Sequence, residues 1–201
     1  MKRAAKSSGR KAEAKAKTRA KTKASALASP PAPRHVPAAK RAPAWAWILG
    51  TWFGSGLSPI VPGTAGTAAS LPLAWVLGAL LPLRGAWSPW CLVASLLLFY
   101  PAVLAAGRVE LALGKHDPGA VVVDETLGTL LTMAFLPASA FHQWQAYVAA
   151  FFLFRILDVW KPGVIGRSQS LAGGWGIVID DVLAGLLGGA LLGLLWWLEL
   201  R

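Results

Sequence analysis

Residues 177–198 read "IVIDDVLAGLLGGALLGLLWWL", apolar throughout except for Asp180 and Asp181 near the start. A run of this length meets the about 20 residues that a straight helix needs to cross a bilayer. The run 87–107 meets it too, whereas 68–83, 121–137 and 144–160 are shorter, and 45–53 can only lie in an interface or dip into it. Proline and glycine mark the joints: "LPLRGAWSP" at 81–89, "LGKHDPGA" at 113–120, "LPASAFHQW" at 136–144 and "KPGVIGRSQSLAGG" at 161–174. No internal repeat is visible. The pattern predicts an all-α, polytopic membrane helical bundle of about five segments over residues 44–201, preceded by a disordered basic tail over 1–43.

Composition agrees. Of 201 residues 55% are hydrophobic, 11 are Trp and only 14% are charged, against about 25% charged in ordinary soluble domains. Of the 20 Lys and Arg, 13 fall in residues 1–41 beside a single acid, Glu13, leaving 7 against 8 acids in the rest. The tail is Ala, Lys, Ser and Pro with almost no large apolar side chain, so it cannot bury a core. It reads as an arm that holds its end cytoplasmic and attracts anionic lipid. A nucleic-acid arm or an organellar transit peptide are the other readings; neither has a second supporting feature, so no nucleic acid is expected as a partner. The first apolar run begins near Ala44, so no cleavable secretory signal is expected. The one cysteine, Cys91, reads as a small buried residue.

With the tail cytoplasmic, alternating the segments brings the loop 53–67, the loop "GKHDPGAVVVDE", the residues Arg155, Asp158 and Lys161, and "GRSQSLAGGWGIVIDD" to the same face. Five acids sit at segment ends: Asp124, Glu125, Asp158, Asp180 and Asp181. A carboxylate deep in a bilayer costs about 2.5–3.5 kcal/mol on insertion scales, so such acids face a protein or water-filled interior. They read either as solvated helix ends or as a ligand set. Hard oxygen donors without useful Cys or His point to Mg²⁺, which takes one or two carboxylates plus substrate phosphate oxygens and water. Adjacent helical residues point about 100° apart, so within "DE" 124–125 and "DD" 180–181 one member can bind metal while its neighbour orients a ligand or pairs with a cation.

In "RILDVWKP", 155–162, Arg155 and Asp158 share a helical face and Pro162 ends the helix near Trp160. The cluster is a helix-end salt bridge, or Arg155 and Lys161 grip phosphate oxygens while Asp158 serves metal or water. "FGSGLSPIVPGTAGT", 53–67, places Thr64, Gly66 and Thr67 where the next segment begins. It is a tight turn with hydroxyl caps or an anion site at a helix N-terminus; no Walker or GxGxxG pattern is present. His116 caps its loop or acts as an acid or base. A cation or proton transporter using these acids is the rival to a phosphate enzyme, but it favours acids at mid-depth and an internal repeat.

"FGSGLSPIVPGTAGT", "HDPGAVVVDE", "FRILDVWKP" and "GGWGIVIDDVLAG" occur in this order in a chain that resembles the phosphatidylglycerophosphatase A family over roughly residues 45–195. The resemblance implies an all-helical, magnesium-dependent enzyme of the bacterial cytoplasmic (inner) membrane. It would convert phosphatidylglycerophosphate to phosphatidylglycerol and inorganic phosphate, in phospholipid biosynthesis. Carried over by position, it singles out Thr64, Gly66, His116, Asp117, Asp124, Glu125, Arg155, Asp158, Lys161, Pro162, Gly176, Asp180 and Asp181. Val123 departs from the aromatic residue that often precedes the "DE" pair. The expected roles are catalysis by Asp124, Glu125, Asp158, Asp181 and His116, phosphate binding by Thr64, Gly66, Thr67, Arg155 and Lys161, and Mg²⁺ held by Asp124, Glu125, Asp158, Asp180 and Asp181. DxDx[TV] is absent, which favours an activated water over an aspartyl-phosphate. The lipid substrate and membrane lipids are the expected partners, with the active face cytoplasmic.

Overall fold

The computed structural model describes residues 41–80 and 88–199. The tail up to residue 40 and most of the joint at 81–89 lie outside the described residues. Among those described, all regular structure is helical. Helix α1 is Ala44–Gly50, α2 is Pro62–Trp75, α3 is Trp90–Leu113, α4 is Val123–Met133, α5 is Trp144–Trp160, α6 is Val164–Ser168 and α7 is Gly174–Glu199. Short 3₁₀ turns occupy Ser55–Leu57 and Ala138–His142, and α2 widens into a π turn at Val76–Leu80. The five helices of 11 residues or more, α2, α3, α4, α5 and α7, correspond to the five expected segments. Among the described residues, only α3 and α7 are long and apolar enough to cross a membrane by themselves.

Three boundaries differ from the sequence reading, each for a local reason. Helix α2 begins at Pro62, so "PGTAGT" is its first turn and a half; proline at N1 has no N–H to lose and a φ already set for helix. Helix α3 runs on to Leu113, six residues past the apolar run: Val109 is buried in that extension, and the helix stops where Gly114 takes a left-handed conformation at φ 61° and donates its N–H to the Glu110 carbonyl at 2.9 Å. Helix α4 stops at Met133, and the chain folds back through Pro137 into the 3₁₀ turn, burying Leu136 and Phe141.

Helix α4 is the centre of the molecule. Ten of its 11 residues are buried, Glu125 being the exception, and it packs on α7, α2, α3 and α5. At about 1.5 Å per residue it is roughly 16 Å long, about half the thickness of a hydrocarbon core. Its contact with α7 is made by glycines spaced four apart. A Cβ on Gly185 would stand 2.5 Å from the Gly128 carbonyl oxygen, one on Gly189 2.7 Å from the Leu131 oxygen, and one on Gly193 3.1 Å from the Phe135 oxygen. The matched order shows two parallel helices at backbone contact, as small-residue stripes permit. Thr132 Oγ1 donates to the Gly128 carbonyl at 2.9 Å and to Gly185 at 3.4 Å, across the seam.

The outer faces are apolar. Leu96, Leu97 and Tyr100 on α3, Phe152, Ile156 and Val159 on α5, and Leu191, Leu194, Leu195 and Leu198 on α7 are all exposed. Monomers in water rarely present apolar surface on this scale.

Candidate active site

The starts of α2, α4 and α7 and the end of α5 meet. Val122, just before α4, donates its N–H to the Gly50 carbonyl at 2.8 Å, which ties the end of α1 to the loop ahead of the "DE" pair. The turn before α2 packs on the same loop, with Gly56 against Ala120 and Val122 and Pro62 near Gly119. Asp124 and Glu125 therefore emerge beside the first turn of α2. Glu125 lies directly on that turn because Gly63 and Gly66 leave room. A Cβ on Gly66 would be 2.5 Å from Glu125 Oε2, and one on Gly63 would meet Glu125 Oε1 and approach Arg155 Nη1 to 3.1 Å.

Helix α5 ends where the sequence reading places it. Pro162 disfavours helical backbone at Lys161, which takes a left-handed conformation at φ 46° and donates its N–H to the Leu157 carbonyl at 2.8 Å. That geometry turns the Lys161 side chain toward α7, where its ammonium pairs with Asp180 and lies 3.6 Å from Asp158 Oδ1. One turn earlier, Arg155 Nη1 donates to Asp158 Oδ2 at 2.6 Å and stands 3.4 Å from Glu125 Oε1. Asp158 thus lies between two cations. Asp181 feels the charges of Asp124, Asp158, Asp180 and Glu125, and Asp124 that of Asp117.

Four carboxylate oxygens here are buried without a hydrogen-bond partner: Asp124 Oδ1, Glu125 Oε2, Asp180 Oδ1 and Asp181 Oδ2. Buried polar atoms are normally satisfied, and buried anions are paired or bind metal, so the orphaned oxygens fit a cation of hard character. No three His, Cys, Asp or Glu side chains among the described residues converge closely enough to hold an ion alone.

The remaining expected site residues are distributed as follows. Gly66 forms the bed for Glu125, and Thr64 is partly exposed in the first turn of α2. Thr67 is fully buried, and its hydroxyl donates back to the Gly63 carbonyl at 3.0 Å, an intrahelical bond. His116 is exposed and pairs through Nδ1 with Glu110 at 2.6 Å. That hydrogen bond, with the negative charge of Glu110, raises the His116 pKa above its usual 6.5. Gly176 is buried against the carbonyls of Leu171 and Gln169, closing the turn before α7. Gly63 and Glu110 were not singled out in the sequence: a glycine has no side chain to mark it, and Glu110 lies beyond the apolar run that frames α3.

The model of the phosphatidylglycerophosphatase A family matches residues 48–196, a span that contains every charged side chain of this cluster. The chain belongs to that family. It is 40% identical to phosphatidylglycerophosphatase A of Escherichia coli K12 over 164 residues, covering 80% of this chain and 90% of the relative. It is 36% identical to phosphatidylglycerophosphatase A of Haemophilus influenzae, over 69% of this chain and 81% of that one. A Bacteroides thetaiotaomicron relative, 39% identical over 75% of this chain and 92% of its own, is provisionally described as a phosphatidylinositol-3-phosphatase. No solved structure matches the chain. The family match begins four residues after α1 starts and ends three before α7 does.

Proposed function

We infer that the chain is a membrane lipid phosphatase that hydrolyses phosphatidylglycerophosphate to phosphatidylglycerol and inorganic phosphate, in phosphatidylglycerol synthesis. Family membership supports the reaction. The observation that carries the site is the meeting of Arg155 and Lys161 with Glu125, Asp158 and Asp180 beside four orphaned carboxylate oxygens. Such a cluster can exchange internal ion pairs for the oxygens of a phosphomonoester. Arg155 takes two of them by its planar fork and Lys161 a third. The N–H groups of Gly63 and Thr64, at the uncapped start of α2, add donors for the same anion.

One or two of the carboxylates of Asp124, Glu125, Asp180 and Asp181 would hold Mg²⁺, the rest of its shell being water and substrate oxygens, with Asp158 orienting the two cations. When bound, the ion would neutralise charge on the phosphate oxygens and acidify a nearby water. A water attacks phosphorus, a buried carboxylate of Asp124 or Asp181 takes its proton, and the bond from phosphorus to the glycerol oxygen breaks. The proton taken from the water by that carboxylate is returned to the leaving oxygen, so the products are the lipid alcohol and inorganic phosphate and the carboxylate is restored.

The protein spans the cytoplasmic membrane several times, with this cluster at the cytoplasmic face. The apolar outer faces of α3, α5 and α7 support the bilayer setting, and the lysine-rich N-terminal sequence supports the orientation.

The test is phosphate release from phosphatidylglycerophosphate and, in parallel, phosphatidylinositol 3-phosphate, in mixed micelles with Mg²⁺ and then with chelator. Chelator-sensitive release from the first lipid supports the reading. Release from neither lipid by folded protein removes it.

A further inference from the structure

Asp117 is the one acid of the loop between α3 and α4, seven residues ahead of Asp124, and it takes a left-handed conformation at φ 45°. Few residues other than glycine accept that backbone; Asp and Asn are among those that do. The loop is pinned on both sides of it. Helix α3 ends in the left-handed turn at Gly114, and Pro118, which is buried, accepts the N–H of Val121 on its carbonyl at 2.8 Å. The neighbouring His116 is spent on Glu110. Asp117 itself is exposed, and its carboxylate makes no hydrogen bond or ion pair among the described residues. Its side chain is therefore not what holds the turn.

Three acids of the charged cluster feel the Asp117 charge: Asp124 and Glu125 at the start of α4 and Asp180 on α7. An exposed carboxylate that acts on two helices at once stands at the rim of the cluster, where water meets it. Behind the rim, Asp124 Oδ1, Asp180 Oδ1 and Asp181 Oδ2 are buried without a partner, on residues no more than 7% exposed. One more negative charge facing unpaired buried anions adds to their cost, and a cation among them removes it. An ion bound by one or two of the buried acids keeps most of its water. A carboxylate at the rim can accept hydrogen bonds from that water and so orient what the inner ligands hold. We propose that Asp117 is the outer carboxylate of the cation site, drawing a divalent cation in from the solvent side and holding it by way of its water. It is a positioning residue and does not touch the phosphate. This role rests on the cation part of the phosphatase reading and extends it to the path by which the ion arrives.

The test titrates Mn²⁺, as a probe for Mg²⁺, into the full chain in phosphatidylcholine nanodiscs without substrate and follows the free ion by electron paramagnetic resonance. Asp117→Asn and Asp117→Gly both accept the left-handed backbone and remove the charge. Each should weaken Mn²⁺ binding roughly tenfold and raise the Mg²⁺ concentration for half-maximal phosphate release by a like factor. Glu110→Gln removes an acid that is spent on His116 and should bind Mn²⁺ as the wild type does. Wild-type Mn²⁺ affinity in both Asp117 variants overturns the proposal, because the carboxylate then does nothing to the ion. An equal loss in Glu110→Gln overturns it too, because any nearby acid would then serve. A wild-type chain that binds no Mn²⁺ overturns the cation site and Asp117 with it. If the chain binds Mn²⁺ more tightly than its Asp117 variants yet releases phosphate from neither lipid, the phosphatase reading falls and the role of Asp117 stands.

Discussion

Arg155 Nη1 stands 3.4 Å from Glu125 Oε1, two residues 30 apart in the chain brought together by the end of α5 and the start of α4. The same nitrogen is 2.6 Å from Asp158 Oδ2. The guanidinium is therefore held by carboxylates on two helices.

Arg155→Lys should lower kcat/KM roughly 100-fold, most of it through KM, because an ammonium cannot span two oxygens and reach Glu125 as a fork does. Steady-state kinetics in micelles read this directly. A KM like that of the wild type would remove Arg155 from the phosphate contacts.

Asp124→Asn and Asp181→Asn each replace a buried acid that has one oxygen without a partner. Each should cut kcat about 100-fold or more while leaving the thermal midpoint in detergent equal or higher, since a neutral amide is less costly to bury than an unpaired charge. Wild-type turnover in both variants would end the case for a carboxylate site.

Gly63→Ala introduces a Cβ between Glu125 and Arg155. An ångström of displacement is enough to lose about 100-fold in rate, so turnover should fall by one to two orders of magnitude in protein that still inserts. Gly119→Ala is the control, since its Cβ would meet only Pro62 Cγ, at an ordinary 3.7 Å. Equal activity of the two variants would show that the bed under Glu125 has slack.

Glu110→Gln should lower the His116 pKa toward 6.5, because the carboxylate is what raises it. The pair favours protonated His116, so its contribution to stability is present below the ordinary histidine pKa and is lost as pH rises through the folded value. An NMR titration of the ring protons in both proteins checks the sign; an unshifted curve would mean that the pair does not form in solution.

Much of the site was legible in the sequence because charge in an apolar chain is conspicuous. The pairs "DE" 124–125 and "DD" 180–181, the cations of "RILDVWKP" and the helix stop at Pro162 all stand where the spacing suggested. What was hidden is carried by backbone and by folding back. Gly63 acts through the side chain it lacks, and Gly66, expected at the phosphate, instead makes room for Glu125. "PGTAGT" looked like loop because proline and glycine usually break helices, yet Pro62 starts one. The run 121–137 looked like one more segment, while its helix ends at Met133 because Leu136 and Phe141 return to the core. The four-residue spacing of Gly185, Gly189 and Gly193 is a sequence mark of the close helix contact they make.

Gly128 follows Asp124 by four residues, as Gly185 follows Asp181, and the two glycines meet at the seam of α4 and α7. Each acid therefore stands one helical turn from the same backbone crossing. The interval between Asp124 and Asp181 behaves like the span between two pegs on one plank: swapping the outer lipid, or repacking the flanking helices, leaves it unaltered. Arg155 and Lys161 ride on α5, a separate plank. Asp158 travels with them, so each cation faces one acid on its own plank and one on another: Glu125 of α4 for Arg155, Asp180 of α7 for Lys161.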